Sequence, residues 1–173
     1  MRKEVKPILF IITFVLFLAL PFSNKAYHID DTAFIYVADQ IAKDPLRPYS
    51  FVLEWGGHSN ELATHLLDTP LVSYYISFIS LFFGRSEIIL HMSFILFNII
   101  AGISFYFLAK KFIEWPLIAA LMMVATPTYM VNSHNLMLDI PMLSLFLLSS
   151  ALFIYGVDKN KHKLLFIGSI AAG

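Results

Sequence analysis

The sequence predicts an all-α, polytopic membrane helix bundle, and its composition and hydrophobic run lengths support that class. Of the 173 residues, 58% are hydrophobic and 14% are charged, and the mean hydropathy is +0.74. Such a chain is too apolar for a soluble domain of this size. Apolar runs close to the ~20 residues that a spanning helix needs predict membrane spans. These spans are 7–22, 88–109, 115–131 and 140–157, with the start of a fifth at 164.

Composition also excludes several kinds of function. The 12 basic and 12 acidic residues cancel, so bulk charge indicates no nucleic-acid partner. The absence of cysteine excludes disulfides, thiolate metal sites and a cysteine nucleophile. The sequence contains neither a phosphate-cradling glycine-rich loop nor a nucleophile elbow, which argues against nucleotide-sugar enzymes and serine hydrolases.

The two ends of the chain indicate a retained first helix and a longer parent protein. Basic residues precede the run 7–22 as in a signal peptide, but a small-residue cleavage site is poorly formed at 23–26 and more spans follow. The chain stops inside the apolar run 164–173, about half the length of a span. We therefore expect one membrane module over 1–173 that is a fragment of a longer protein.

The long loop 23–87 is predicted to carry two interfacial helices. The segment 70–83 is apolar but short for a span, which is typical of an interfacial or re-entrant helix. The segment 31–43 has the period of an amphipathic helix on a membrane or protein surface. Its apolar face consists of Ala33, Phe34, Val37, Ala38 and Ile41, opposite Thr32, Tyr36, Asp39, Gln40 and Lys43.

Charge placement predicts the topology. If 70–83 does not cross the membrane, eight of the twelve basic residues fall on one side, which is then cytoplasmic. They are Arg2, Lys3, Lys6, Lys110, Lys111, Lys159, Lys161 and Lys163. If 70–83 crosses, Lys110 and Lys111 move outside, against this bias. We therefore predict a cytoplasmic amino terminus, a long outer loop 23–87 and a short outer loop near 132–139.

This topology gathers carboxylates from three helix starts on the outer surface. They are Asp30 and Asp31, then Asp68 before Thr69-Pro70, then Asp139 before Ile140-Pro141. Helix capping explains each start singly and accounts for one acid of the Asp30–Asp31 pair. The alternative is a carboxylate that deprotonates an acceptor hydroxyl or binds a divalent metal at the membrane surface. The convergence of three starts favours a site.

Two further sets of polar residues have simpler explanations. Glu87, His91, Asn98 and Gly102 share one stripe of the span 88–109, and an interhelical hydrogen-bonding seam explains them better than a functional site. Lys25, Arg47 and Arg85 are among the few outer cations and are candidates to meet a phosphate, although single basic residues at an interface are common.

Four motifs follow one another along the chain. The first is an acidic pair opening a surface helix, here Asp30-Asp31 followed by Tyr36 and Ala38. The others are Leu-Leu-Asp68-Thr-Pro-Leu-Val-Ser-Tyr-Tyr, Gly84-Arg-Ser86-Glu87 and Met137-Leu-Asp139-Ile-Pro141. Their order and spacing resemble the amino-terminal module of GT-C class glycosyltransferases, nearest to the dolichyl-phosphate-mannose protein mannosyltransferase family. Departures from the family pattern are Asp31 in place of Glu, Thr69 in place of Pro or Lys, and the offset of Tyr36.

The resemblance implies that Asp30 or Asp31 is the catalytic carboxylate. It also implies that Asp68 and Asp139 line the substrate cavity, and we place His134 and Tyr36 in the same cavity. A divalent metal on Asp30 and Asp68 is left open. The later spans and the large outer domain of the family are absent from this chain, so the donor contacts cannot be carried over and the fragment alone is not expected to be active.

By this resemblance, the protein moves a sugar from a polyprenyl-phosphate-linked donor to an acceptor glycan, lipid or protein on the outer face of a membrane. The membrane expected is the plasma membrane of a prokaryote. The alternative is a polytopic binding or transport protein without chemistry, whose outer acids bind a cation or a polyamine. A third possibility is a truncated product with no activity.

Overall fold

The computed structural model of the protein describes residues 2–55, 58–60 and 70–172, and most of these residues are helical. The helices are α1 (Arg2–Ala19), α2 (Ile29–Lys43), α3 (Leu71–Phe83), α4 (Glu87–Ala109), α5 (Pro116–Val124), α6 (Pro127–Ser133), α7 (Asp139–Asp158) and α8 (His162–Ala172). The predicted all-α membrane bundle is confirmed. Two short strands, β1 (Leu53–Trp55) and β2 (His58–Asn60), pair antiparallel with Leu53 opposite Asn60.

Three helices in the described part of the chain are long and apolar enough to cross a membrane. They cover Glu4–Phe22, Glu87–Ala109 and Asp139–Asp158, and they coincide with the spans predicted at 7–22, 88–109 and 140–157. The first is α1 prolonged by a 3₁₀ turn at Leu20–Phe22. The predicted fifth run begins in α8.

The single span predicted over 115–131 is instead two helices, α5 and α6, of 9 and 7 residues. The interruption has a local cause, because Pro127 lacks an N–H and disfavours helical backbone at the residue before it. Thr126 is accordingly extended, with φ −65° and ψ 141°. Its hydroxyl accepts a hydrogen bond from the Tyr129 N–H at 3.4 Å and thereby caps α6.

Helix α2 buries the predicted apolar face. All five predicted face residues are at most 7% exposed, whereas Tyr36 on the opposite face is 48% exposed. They pack partly against α3, where Val72 and Ile76 are buried in the same cluster as Leu90 and Phe94 of α4. At 13 residues, or about 20 Å, α3 is too short to span a bilayer.

The membrane core is formed by α1, α4, α5 and α7, and it requires one close helix approach. A Cβ on Gly102 of α4 would lie 2.9 Å from Cγ2 of Ile11 in α1 and 3.6 Å from Cγ1 of Val124 in α5. Glycine therefore lets three helices meet at one level.

Ion pairs fix the relative direction of the long helices. Glu4 at the start of α1 binds Lys110 and accepts a hydrogen bond from the Tyr106 hydroxyl at 2.8 Å, and Lys111 binds Asp158 at the end of α7. The start of α1 and the ends of α4 and α7 therefore lie together, and we call this the lysine end. The opposite end of the bundle, which carries Asp30, Asp31 and Asp139, is called the acid end.

Candidate active site

The five-residue turn 134–138 between α6 and α7 is where distant parts of the acid end meet. The Leu136 N–H donates to Oδ1 of Asp31 at 2.8 Å. The Lys25 ammonium donates to the His134 carbonyl at 3.4 Å and to the side-chain oxygen of Asn135. We call the five residues that make these contacts the clasp: Lys25, Asp31, His134, Asn135 and Leu136. It joins the loop that begins at residue 23, which we call the first loop, to the turn 134–138, which we call the second turn or second loop. The joined residues are more than a hundred positions apart in the sequence.

Within the clasp, Asp31 is fully buried and both of its oxygens are engaged. While Oδ1 accepts from Leu136, Oδ2 accepts from the His28 N–H at 2.7 Å. The N-cap of α2 is therefore His28, whose Nδ1 lies 3.4 Å from the Asp30 N–H, and Asp31 supplies the reciprocal half of a capping box. The expectation that Asp30 or Asp31 itself is the N-cap is corrected, because the helix begins earlier, at Ile29.

The neighbouring carboxylate of Asp30 is in a different environment. Its side chain is 49% exposed, and the Nδ1 atom of His28 lies 3.7 Å from its carboxylate, which is too long for a hydrogen bond. Within the described residues, its oxygens accept no hydrogen bond. Asp30 is therefore the member of the pair that is available to a ligand.

The third acid, Asp139, is exposed at the first position of α7. Helices α4 and α7 run in the same direction and pack along their length, and near the lysine end the Tyr155 hydroxyl reaches the Phe107 carbonyl at 3.3 Å. Counting back along both helices from this contact places Asp139 at the level of His91. That level is about one helical turn, or about 6 Å, from the start of α4 at Glu87 in the direction of the lysine end.

Three of the four predicted acids thus lie at one end of the bundle, and one of them, Asp31, is hydrogen-bonded to the turn that leads to Asp139. Asp68 lies outside the described residues, so its place in the cavity stays a prediction. Among residues 2–55, 58–60 and 70–172, no three His, Asp or Glu side chains are grouped closely enough to hold a metal ion. The Asp30–Asp68 metal site also stays a prediction.

His134 packs inside the acid end. Its ring stacks on Phe22 with centroids 4.1 Å apart, and Nε2 lies 3.3 Å from the Leu18 carbonyl. Burial lowers the pKa of His134 below its ordinary 6.5, with smaller contributions from Lys25 and His91, while the contact with Leu18 opposes the shift. The observed contacts of His134 hold the end of α1 against the second turn.

Tyr36 has no such role in packing. Its exposed side chain makes no hydrogen bond, ion pair or ring contact with another described residue. The structure links it to neither Asp30 nor Asp139, and its assignment to the cavity stays a prediction.

The predicted polar stripe of α4 is mainly a seam between helices. Asn98 donates to the Ser133 carbonyl at 3.4 Å, and the Tyr129 hydroxyl donates to the Asn98 carbonyl at 3.4 Å. Gly102, one turn further, is the close approach to α1. These contacts agree with the interhelical explanation of the stripe.

His91 in that stripe and its neighbour Tyr27 make no hydrogen bond to another helix among the described residues. Nδ1 of His91 lies 2.8 Å from the backbone carbonyl of Glu87, one turn earlier in the same helix. The His91 ring stacks on Tyr27 with ring centroids 6.0 Å apart. Nε2 of His91 and the Tyr27 hydroxyl are buried without a hydrogen-bond partner among the described residues. Burial raises the pKa of Tyr27, helped by Glu87 and Asp31 and opposed by Arg85, so its hydroxyl stays protonated.

The outer cations proposed to meet a phosphate are placed differently from one another. Arg85 forms an ion pair with Asp39 on α2, and both side chains are about 40% exposed. The ammonium of Lys25 is in the clasp. The contacts of Lys25 with Asn135 and of Asp31 with Leu136 had no signal in the sequence, because no local spacing relates residues so far apart.

A family model described as dolichyl-phosphate-mannose-protein mannosyltransferase matches residues 68–173, well over half of the chain. The chain belongs to this family. The match covers α3 to α8 and includes Asp139, whereas Asp30, Asp31 and α2 precede it. Neither the search of curated proteins nor the search of solved structures gave a match.

Membership of the mannosyltransferase family, together with three potential spans, indicates an integral membrane protein of a glycosyltransferase family. The resemblance seen in the motifs is thereby confirmed for the segment from Asp68 onward.

Proposed function

We propose that the protein, in its full-length form, transfers a sugar from a polyprenyl-phosphate-linked donor to a hydroxyl-bearing acceptor, with Asp30 as general base. The observation that carries the proposal is the unequal state of the acidic pair. Each carboxylate oxygen of Asp31 accepts a hydrogen bond from a backbone N–H group, whereas the Asp30 carboxylate is half-exposed beside the clasp. The family supports sugar transfer as the class of reaction.

The proposed side of the membrane rests on the distribution of charge. Lys110 and Lys111 lie at the same end as the start of α1, and the basic residues after Asp158 follow from that end. The positive-inside bias then puts the lysine end in the cytoplasm and the acid end outside. An acceptor glycan, lipid or protein would accordingly be modified on the outer face.

The depth of the acid end suits a lipid-linked donor. Asp139 lies about one turn below the start of α4, a helix of 23 residues or about 35 Å. Because the hydrocarbon core is about 30 Å thick, this level falls near the outer membrane boundary. A lipid phosphate has its charged group in the same layer.

In the proposed reaction, Asp30 takes the proton of the acceptor hydroxyl while the acceptor oxygen attacks the anomeric carbon. The bond from that carbon to the phosphate oxygen breaks, and the lipid phosphate leaves with the electron pair. A general base needs an oxygen within hydrogen-bonding reach of the acceptor, and this condition favours Asp30 over the fully engaged Asp31.

The test is a sugar-transfer assay on the full-length protein. Asp30→Asn is expected to lower kcat by roughly 10²- to 10⁴-fold, which is the usual contribution of a general base. Asp39→Asn is the matched control, because Asp39 lies on the same helix in a surface ion pair worth little. Full turnover of the Asp30→Asn variant would contradict the role of Asp30 as general base. No sugar transfer by the wild-type protein would instead favour a protein that binds or transports a cation or polyamine.

A further inference from the structure

We infer that Asp31 and Lys25 are positioning residues that hold the second turn, and with it Asp139, at a fixed distance from Asp30. The kinetic part of this inference rests on the proposed function. The structural part, that the clasp fixes one loop against the other, does not.

Asp31 is the first of the two attachments. A carboxylate that is completely buried is stable only when its oxygens are satisfied, and those of Asp31 accept one N–H from each loop. Deleting the side chain would leave the His28 and Leu136 N–H groups without that acceptor. The cost therefore falls on both sides of the junction.

Lys25 is the second attachment. Its ammonium reaches the His134 carbonyl and the Asn135 side chain, and within the described residues it has no carboxylate partner. The stacking of Phe22 on His134 brings the end of α1 to the same turn. The positive charge of Lys25 is thus directed at the backbone and amide of the second turn.

The turn is held on its other side by α4. Asn98 binds the Ser133 carbonyl, so the segment from Ser133 to Leu136 is tied at both ends before α7 begins at Asp139. Because Asp31 follows Asp30 directly, one short piece of α2 carries the proposed base and also the contact that sets its distance from Asp139.

The first experiment measures geometry without using activity. The chain has no cysteine, so spin labels can be placed on Ile29→Cys and Met142→Cys, at exposed positions next to Asp30 and in the first turn of α7. A narrow distance distribution is expected. Asp31→Ala should broaden it and shift its mean, Lys25→Met should broaden it less, and Asp39→Asn should leave it unchanged.

The second experiment separates positioning from catalysis in the full-length protein. Asp31→Ala is expected to lower kcat per folded molecule by roughly 10- to 100-fold, which is typical of a misplacement near 1 Å. Asp31→Asn should restore part of the loss, because its amide oxygen can still accept one N–H. The acidic limb of the pH–rate profile should persist in both variants and disappear in Asp30→Asn.

Several outcomes would overturn the inference. An unchanged label distance in Asp31→Ala would show that the clasp does not set the geometry, and a lost acidic limb would make Asp31 the base. A purely structural role would reduce the yield of folded protein but leave kcat per folded molecule unchanged. If Asp31→Ala does not fold, the distances in Asp31→Asn and Lys25→Met decide. If the wild-type protein transfers no sugar, the proposed function fails, while the distance measurement still judges the clasp.

Discussion

At the scale of single residues, two adjacent aspartates have opposite environments because of their places in one helical turn. Asp31 is the third residue of α2 and faces both its own N-cap and the second turn, whereas Asp30 is rotated by about 100° toward solvent. Their chemistry differs accordingly, since only an acid with an accessible oxygen can accept a proton from a ligand. The motif in the sequence does not distinguish the two.

The Tyr27 hydroxyl provides a test of burial at this scale. Because this hydroxyl is buried without a hydrogen-bond partner in the part of the chain that the structure describes, Tyr27→Phe should raise the free energy of unfolding in detergent by about 1 kcal/mol. Tyr75→Phe is the matched control, since its hydroxyl donates to the Ser93 carbonyl at 2.9 Å, and it should lose about 1 kcal/mol. A comparable loss in Tyr27→Phe would mean that a water or ligand binds its hydroxyl.

The lowered pKa of His134 predicts a dependence of stability on pH. The unfolded chain binds a proton near pH 6.5 and the folded chain only at lower pH, so acidification through this window should weaken the attachment of the second turn. Above the window both states are neutral and no change is expected. His134→Phe, which keeps a ring to stack on Phe22, should reduce this dependence in unfolding curves measured between pH 5 and 8. An unchanged curve would assign the effect to other groups.

At the scale of elements, run length predicted the spans well and interruptions poorly. The runs at 88–109 and 140–157 end within a residue of α4 and α7, because hydrophobic length is set by the bilayer. Inside 115–131, the apolar composition hid the break that Pro127 imposes on the backbone. The start of α2 was misplaced because a histidine, which is not among the preferred caps, occupies the N-cap.

The close contact of α4 with α1 at Gly102 predicts how a substitution there changes stability. Gly102→Ala should lower the free energy of unfolding by about 1–3 kcal/mol, because its Cβ would overlap the branched methyl of Ile11. In the Ile11→Ala background that methyl is absent, so the same substitution should cost less. Equal costs in both backgrounds, measured as a double-mutant cycle, would show that the two residues do not compete for space.

At the scale of the whole molecule, the gathering of acids at one end of the bundle could be predicted from the sequence, and the site's internal contacts could not. Lysine clusters and span counts place carboxylates together without any knowledge of contacts. The hydrogen bonds of Lys25 and Asp31 with the second turn depend on how four helices pack, and no local pattern encodes them. The orientation of the protein in the membrane therefore decides whether the candidate active site can form on the outer face, because the proposed transferase needs both acid-bearing segments there.

The central claim is that both acid-bearing segments face the outer side and the lysine end faces the cytoplasm, and cysteine labelling in intact cells tests it most directly. Single cysteines at Ile29, Asp139, Glu114 and Lys159 would be exposed to a membrane-impermeant maleimide. We expect labelling at 29 and 139 in intact cells, and at 114 and 159 only after permeabilisation. Labelling of 29 and 139 from opposite sides of the membrane would contradict the account.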